Sequence, residues 1–343
     1  MTTTNEKILD AQIKHSIHLE RYKGGVLKQI IGLLNNTEAD LIELIAARLA
    51  SIEGRGFDLS PAETKRLEKL LADITAKRQD VYDVLEQKLS GEMDEFSQYE
   101  ADFQIRLANS AGVQASFTMP SNAQLKAIVT SQPFRGRLLK DWAQGIGTEE
   151  VKRVQDAIRI GMTEGQTTDQ IIRRIRGTKK AKYQDGILEI SRRDAEAVTR
   201  TAISHVANRA RAEVYKANAD IVRKVIYIAT LDSRTTPYCI QHDHKVYDVG
   251  KEPVIPAHFR CRSCYCGFFE GDERGDRASV FGPVPAATDY DTFLRKQSKE
   301  FQEEVLGVER ARLYRSGKEL IGKYIDKSGR FYTLKELKQR ENA

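Results

Sequence analysis

All four cysteines of this chain, and three of its six histidines, lie in one short stretch between positions 239 and 266. Thiolate and imidazole are ligands that Zn²⁺ prefers, and the pairs Cys239-x-x-His242 and His258-x-x-Cys261 have the spacing of tetrahedral zinc sites. The stretch therefore predicts a zinc site; the alternative is a cluster of free thiols. The candidate ligands are Cys239, His242, His258, Cys261, Cys264 and Cys266.

Length and composition bound the class of protein. With 343 residues, 40% of them hydrophobic, the chain can form two or three domains with a sizeable core. No apolar run approaches the 18 residues of a membrane helix, and the N-terminus has no basic segment followed by an apolar one. We therefore expect no membrane association and a reducing cytoplasm, where clustered cysteines are more often metal ligands than disulfides.

The net charge of +6 is unevenly distributed. Residues 1–110 carry 14 Lys/Arg against 19 Asp/Glu, whereas residues 172–224 carry 14 against 6. The basic segment predicts a surface that binds polyanions such as double-stranded DNA; the alternative is a solvated helix face. The candidate DNA-binding residues are Arg173, Arg174, Arg176, Lys179, Lys180 and Lys182.

The hydrophobic pattern predicts helices over most of the chain. Ser60-Pro61-Ala62-Glu63 has the form of a capping box and begins a helix that we expect to end at Ser90-Gly91. Another long helix is predicted from Ser191 to about Asn218, with an apolar face and a polar stripe. The stripe comprises Arg200, Ser204, Asn208, Arg211 and Tyr215. The isolated His15, His18 and His205 are interpreted as helix-surface residues.

The period changes after residue 223. Residues 224–230 and 245–249 are rich in β-branched and aromatic residues and predict two strands, with a turn at Cys239/His242 between them. The predicted fold is mainly α with a small α+β module. We predict four regions: a helical part (1–115), a basic helical part (116–222), a β unit with the Cys/His cluster (223–270), and a linker with a C-terminal helix and hairpin (271–343).

Several motifs then occur in a recognisable order. They are Asp232-Ser233-Arg234-Thr235, Asp243-His244-Lys245-Val246-Tyr247 and Pro256-Ala257-His258-Phe259-Arg260-Cys261-Arg262. In this order they resemble the Mu F-like family of minor head, or head-morphogenesis, proteins of tailed bacteriophages. The resemblance extends over about residues 140–340, including the segment from Tyr290 to Leu337, and leaves the first 110 residues unmatched.

The resemblance implies a virion structural protein that is not an enzyme. Such a protein would act in procapsid assembly in the host cytoplasm and remain in the capsid interior. It would bind the portal and capsid or scaffold proteins, and contact packaged DNA without reading its sequence. The chain departs from the family pattern at two cysteine positions, which are Thr236 and Ser263 here. A site that lost two ligands could be rebuilt with His242 and one displaced cysteine; the alternative is a site that has lost its metal and kept only the fold.

A second hypothesis is a metal-dependent nuclease of the His-Asn-His type, or another DNA-processing protein, built around Asp243 and His244. Such a nuclease needs a downstream histidine and usually an asparagine. No histidine follows His258, and the next asparagine after Asn218 is Asn342. We therefore predict no catalytic residues. A toxin-like or transferase domain is a third, weaker alternative, because the chain has no additional cluster of histidine, glutamate or arginine.

Overall fold

The structure is a computed structural model that describes residues 3–52, 60–113, 115–269, 275–317 and 320–341. Helices dominate and a small antiparallel sheet follows them, which confirms the predicted fold class. None of the helices in these ranges combines the length and apolar character needed to cross a bilayer.

The helices are α1 (Thr4–Leu49), α2 (Pro61–Ser110), α3 (Asn122–Thr130), α4 (Leu139–Thr163), α5 (Thr168–Arg176), α6 (Ile187–Ala217), α7 (Pro237–His242), α8 (Tyr290–Arg295), α9 (Lys299–Leu306), α10 (Val308–Arg315) and α11 (Leu334–Glu341). A short 3₁₀ helix spans Ile321–Tyr324. The strands are β1 (Lys224–Ile228), β2 (Val246–Asp248), β3 (Cys264–Phe268), β4 (Asp276–Ser279) and β5 (Gly282–Pro285).

Helix α2 begins where the sequence predicts and ends much later. The Ser60 hydroxyl accepts a hydrogen bond from the backbone N–H of Glu63, whose carboxylate accepts one from the N–H of Ser60, so the capping box is present. The prediction that Ser90-Gly91 ends this helix is wrong. Leu89 and Met93 are both fully buried, and their packing outweighs the roughly 1 kcal/mol that a helical glycine costs.

The chain divides into two compact units, each assembled from separate stretches of sequence. The first unit comprises Met1–Glu20, Phe96–Leu125 and Ser204–Ala343, and the second comprises Arg21–Glu95 and Lys126–Ile203. The four consecutive regions proposed from the sequence stay a prediction.

The second unit is a helical core in which the predicted apolar stripes meet. Its buried cluster includes Leu41, Ile45, Leu70, Ile74, Val154, Ile158, Ile171 and Ile175. Buried polar groups are paired inside the same unit: Arg78 contacts Glu150 at 2.5 Å, and the Tyr82 hydroxyl donates to the other oxygen of that carboxylate at 2.8 Å. Pairing offsets the cost of removing these charges from water.

The sheet of the first unit has three antiparallel strands in the order β2-β1-β3. Central strand β1 pairs Ile226 with Val246 on one side and with Cys266 on the other. Ile8, Leu9, Leu107 and Ala111 pack with Ile226, Ile228, Cys264 and Cys266 in one buried cluster. The ends of α1 and α2 that belong to this unit therefore cover one face of the sheet.

The polar stripe of α6 closes the open edge of this sheet. Ser204 donates to the carbonyl of Cys261 at 2.8 Å, Asn208 to that of Ser263 at 3.3 Å, and Arg211 to that of Tyr265 at 3.0 Å. One turn of helix rises about 5.4 Å and two strand residues rise about 6.6 Å, so side chains three or four apart can reach alternate strand residues. These side chains satisfy backbone groups that an unprotected edge strand would expose.

Two of the isolated histidines are buried, so their assignment to helix surfaces is wrong. His15 is 5% exposed and His205 is 2% exposed, whereas His18 is exposed as expected. His15 Nε2 lies 2.6 Å from one carboxylate oxygen of Glu100. The other oxygen of that carboxylate accepts a hydrogen bond from Arg211 at 2.7 Å. The partner of His15 is 85 residues away in the chain, which is why local sequence did not reveal it.

The C-terminal elements pack around a second core of the first unit, which includes Leu231, Ile240, Tyr290, Phe293, Leu306 and Tyr314. Residues 276–285 form the β4–β5 hairpin where the sequence suggested a linker. Gly282 has φ +113° in this hairpin, a conformation that glycine adopts without strain. Ser328 and Gly329 lie inside a bridge between Ile325 and Phe331, in the C-terminal region where we predicted a hairpin.

Candidate metal centre

Cys239 lies on α7, the short helix that follows β1 and replaces the predicted turn. Thr236 has extended backbone angles and precedes Pro237 at the first helical position, which favours a helix start. The Cys239 side chain is almost fully buried, and the hydroxyl of Tyr227 on β1 donates to its sulfur at 3.2 Å. The helix thus directs a thiol toward the end of the sheet.

His258 and Cys261 approach this thiol from the loop between β2 and β3. The Cys239 sulfur lies 3.3 Å from His258 Nε2 and 3.8 Å from the Cys261 sulfur. The three ligand atoms all lie within 4.8 Å of one another, although 22 residues separate the two cysteines in sequence. Cys261 is buried and His258 is half-buried, so the group is reachable from the histidine side.

These distances fit a tetrahedral zinc ion. With Zn–S about 2.3 Å and Zn–N about 2.0 Å, the ligand-to-ligand edges are about 3.8 Å for two sulfurs and about 3.5 Å for sulfur and nitrogen. Two thiols and one imidazole are also the donor set that zinc favours. Cys239, His258 and Cys261 would therefore hold a zinc ion with small adjustments of their side chains.

The imidazole of His258 is oriented as a metal ligand requires. Its Nδ1 lies 2.8 Å from the carbonyl oxygen of Phe259. A carbonyl can only accept, so Nδ1 carries a proton, and Nε2 is the nitrogen that would bind a metal once it is deprotonated. A ligating histidine commonly donates its other N–H to such an oxygen, which fixes the ring orientation.

Hydrogen bonding favours a thiolate at this centre. The Cys261 thiol, followed by the imidazole of His258 and the hydroxyl of Ser263, lowers the pKa of Cys239 to about 3 despite its burial. The hydrogen bond to Cys239, together with burial, raises the pKa of Cys261, while backbone N–H groups of Ser263 and Ala257 oppose that rise. The two sulfurs thus share one proton, and metal binding would displace it.

The other three candidate ligands lie outside this group. His242 Nδ1 contacts the hydroxyl of Tyr247 at 2.6 Å, and its ring lies 4.5 Å from that of Tyr238. Cys264 and Cys266 lie on β3 in the buried cluster with Ile8 and Leu9. The Cys264 sulfur lies 3.7 Å from the hydroxyl of Ser16. A metal role for these three residues stays a prediction.

An ion pair between two motif residues, Asp232 and Arg262, holds the β2–β3 loop that carries Cys261 in place. Asp232 accepts from both terminal nitrogens of Arg262, one of them at 2.8 Å, and from the hydroxyl of Thr235 at 3.1 Å. Burial raises the pKa of Asp232, but the bonds from Arg262 outweigh this and leave the pKa below its ordinary value. Because Arg262 directly follows Cys261, the pair fixes that ligand relative to the end of β1.

Asp243, the carboxylate of the nuclease hypothesis, is bonded to groups that hold the fold together. It pairs with the buried Arg277 at 3.1 Å and accepts from the backbone N–H of Ala229 at 2.7 Å. Arg277 also donates to the carbonyls of Thr288 and Ala229. The neighbouring His244 has φ +65°, which belongs to the turn into β2. Both carboxylate oxygens are thus engaged by the fold.

The candidate DNA-binding residues lie on α5 and the loop after it, in the second unit. Arg173, Arg176, Lys179, Lys180 and Lys182 are exposed and Arg174 is half-buried. Two of them pair with acids, Arg174 with Glu164 and Arg176 with Glu38, each at 3.0 Å. The loop is ordered by Asp185, which accepts from the backbone N–H and hydroxyl of Thr178.

The sequence did not single out two groups that shape the centre. Tyr227 belongs to an apolar strand, and nothing in the local pattern distinguishes its hydroxyl from that of a core tyrosine. The carbonyl of Phe259 is a backbone group, which side-chain patterns cannot reveal. The sequence did draw attention to Thr236 and Ser263, because both stand at cysteine positions of the family that the motifs resemble.

A small sheet sealed by a polar helix face, with a Cys/His group in the loops at its end, defines a compact structural module. Residues 152–266 match the family model described as Phage Mu protein F like protein, which confirms the resemblance over that segment. Searches of curated proteins and of solved structures return no match. The expected extension of the resemblance to residue 340 stays a prediction.

Proposed function

We propose that this chain is a minor head protein of a tailed bacteriophage that acts in procapsid assembly and stays inside the capsid. The family match over residues 152–266 carries the proposal. The motif residues within that segment, Asp232 and Arg262 above all, hold the fold together, which supports a structural role for them. The proposed partners are the portal and the capsid or scaffold proteins.

A test of this role starts from infected cells. Tagged protein isolated from cells harvested before the phage lyses them should copurify with portal protein in a near-constant ratio. Asp232→Ala should reduce that ratio, because it removes the ion pair that holds the loop before Arg262. Lys251→Ala, at an exposed position in the same unit, is the matched control. Recovery of the tagged chain without any head protein would contradict the proposal.

Within this role we propose a structural zinc ion held by Cys239, His258 and Cys261. The ligand distances and the hydrogen bond of His258 Nδ1 to the carbonyl of Phe259 support it. Zinc would connect α7 to the β2–β3 loop. Binding of metal to the folded state alone stabilises that state by mass action.

We further propose sequence-independent DNA contact through the basic residues of α5 and its loop. Arg173, Lys179, Lys180 and Lys182 are exposed and form no long-range ion pair among the described residues, whereas Arg174 and Arg176 are partly neutralised. Charges of this kind bind phosphates and do not read bases.

Salt dependence tests the DNA contact. Each phosphate contact contributes about 0.9 to the slope of log affinity against log salt, so replacing Lys179, Lys180 and Lys182 by alanine should lower the slope by up to about 3. The triple alanine variant at Lys65, Lys69 and Lys88 changes net charge equally and should leave the slope unchanged. A parent protein whose affinity ignores salt, or depends strongly on base sequence, would refute the contact.

A further inference from the structure

The three-residue metal group leaves one corner of a tetrahedron without a protein ligand. Among the described residues, no fourth histidine, cysteine or carboxylate places its ligand atom within the group of Cys239, His258 and Cys261. Zinc sites with three protein ligands complete their coordination with an oxygen, commonly that of water. The surroundings of Cys239 indicate where that oxygen would lie.

Two side-chain hydroxyls border the Cys239 sulfur. The hydroxyl of Ser263, which is 4% exposed, hydrogen bonds with this thiol, and the hydroxyl of Thr236 lies beside it. Ser263 also contacts the hydroxyl of Tyr227, which itself donates to Cys239. The hydroxyl oxygens of three residues therefore lie beside a sulfur that belongs to the ligand group.

The hydroxyl of Thr236 has an unsatisfied environment. Its Oγ1 is buried from solvent and has no hydrogen-bond partner of normal geometry, although it faces the Cys239 thiol. A buried hydroxyl without a partner is costly, so such atoms usually mark a missing water, ion or ligand. Its position beside the metal group accounts for this orphan directly.

We propose that the fourth metal ligand is an oxygen atom held on the side bounded by Thr236 and Ser263. The centre then carries two thiolates, one imidazole and one oxygen. The oxygen comes either from one of the two hydroxyls or from a water that they hold. The inference rests on the zinc centre of the proposed function and adds the identity of its fourth ligand.

The softness of the donor set distinguishes this centre from one closed by a third cysteine. Thiolate binds zinc and cobalt more strongly than a neutral oxygen does, and only thiolates give intense charge-transfer absorption with Co²⁺. Replacing Ser263 or Thr236 by cysteine should therefore change both the affinity for Co²⁺ and its absorption spectrum. A cysteine introduced far from the metal group should change neither.

The experiment is Co²⁺ titration of the reduced full-length protein under anaerobic conditions, followed by visible and near-ultraviolet absorption. The parent protein should bind one Co²⁺ with the charge-transfer intensity of two thiolates. Ser263→Cys, or Thr236→Cys if the first variant folds poorly, should raise that intensity about 1.5-fold and tighten binding at least tenfold. Ser131→Cys, on an exposed serine of the second unit, is the control.

Two further measurements identify the source of the oxygen. If water is the ligand, millimolar imidazole should shift the parent spectrum and should not shift that of Ser263→Cys. If a hydroxyl is the ligand, imidazole should have no effect, and either Ser263→Ala or Thr236→Ala should weaken Co²⁺ binding at least tenfold. Either result supports an oxygen ligand.

Other outcomes overturn the inference and separate it from the proposal on which it rests. A parent spectrum of three thiolates that loses a third of its intensity in Cys264→Ala or Cys266→Ala would show a displaced cysteine as fourth ligand. A spectrum altered by His242→Ala would show a second imidazole. Absence of stoichiometric Co²⁺ absorption would refute the zinc centre itself, and the oxygen ligand with it.

Discussion

At the residue scale, the spacing of cysteine and histidine identified part of the cluster that the fold brings together. Cys239, His258 and Cys261 come together as predicted from their spacing, while Cys264 and Cys266 lie on the opposite side of β3 in an apolar cluster. Strand residues at odd and even positions face opposite ways, but the sequence did not reveal that the strand starts at Cys264. His242, Cys264 and Cys266 were the further ligands predicted from the sequence, but they lie outside the group, because their positions depend on how α7 meets the loop and where β3 begins.

The ligand assignment makes a stability prediction. Cys261→Ala should abolish stoichiometric metal binding and lower the melting temperature, because bound metal stabilises only the folded state. Cys266→Ala removes an equally buried thiol and should retain the metal, with a cost of a cavity alone. Elemental analysis and thermal unfolding with and without chelator measure both; equal metal loss in the two variants would be incompatible with the assignment.

The buried Asp243–Arg277 pair predicts a large effect of a single substitution. Asp243→Ala leaves the Arg277 guanidinium buried without its counterion, which typically costs about 3–5 kcal/mol in the free energy of unfolding. The exposed pair of Asp248 and Lys251 is the control, where Asp248→Ala should cost less than about 1 kcal/mol. Chemical denaturation measures both, and similar costs would mean that the buried pair does not organise the fold.

At the element scale, local rules predicted where helices begin better than where they end. The capping box at Ser60 is present, whereas Gly91 lies in the middle of α2 with open space around its position for a Cβ atom. In α6 the spacing of the polar stripe was visible in the sequence, but its burial was not. Only the position of β3 shows that those side chains bond to a strand edge.

The continuity of α2 predicts a stabilising substitution. Gly91→Ala should raise the free energy of unfolding by about 0.5–1 kcal/mol, because alanine has the higher helix propensity and meets no atom there. Gly147→Ala in α4 is the contrasting case, since its Cβ would lie 2.6 Å from the Tyr82 ring and should destabilise the protein. Destabilisation by Gly91→Ala would indicate that the helix does end at this glycine.

The contact between α2 and α6 in the first unit predicts a pH dependence. Burial alone would raise the pKa of Glu100, but Arg211 and His15 outweigh it and hold the pKa below its ordinary value. A lowered folded-state pKa contributes stability above the unfolded-state value of about 4.3, and this contribution is lost as pH falls through the folded-state pKa.

The measurement compares Glu100→Gln with the parent protein between pH 6 and pH 3. The variant should be less stable at pH 6, because Arg211 loses its counterion, and the difference should narrow as the pH falls. Glu68→Gln, on an exposed position of α2, should show a small difference at every pH. A difference for Glu100→Gln that is independent of pH would contradict the ion pair.

At the scale of the whole molecule, the fold class followed from the periodicity, but the arrangement into units did not. Both units are built from stretches distant in sequence, as in the first unit, where Glu100 pairs with Arg211 across 111 residues. Charge segregation along the chain identified an exposed basic loop, but not the acids Glu38 and Glu164 that neutralise part of it. Local sequence patterns do not predict pairs between residues that are so distant in the chain.

The amount of this chain in purified particles tests most directly the proposal that it is a component of the phage head. Procapsids and mature heads isolated from infected cells, quantified by mass spectrometry against the portal protein, should contain the chain at a fixed ratio to portal. Infection without the chain should yield fewer or defective heads. Particles that lack the chain yet form and package DNA at normal yield would contradict the account.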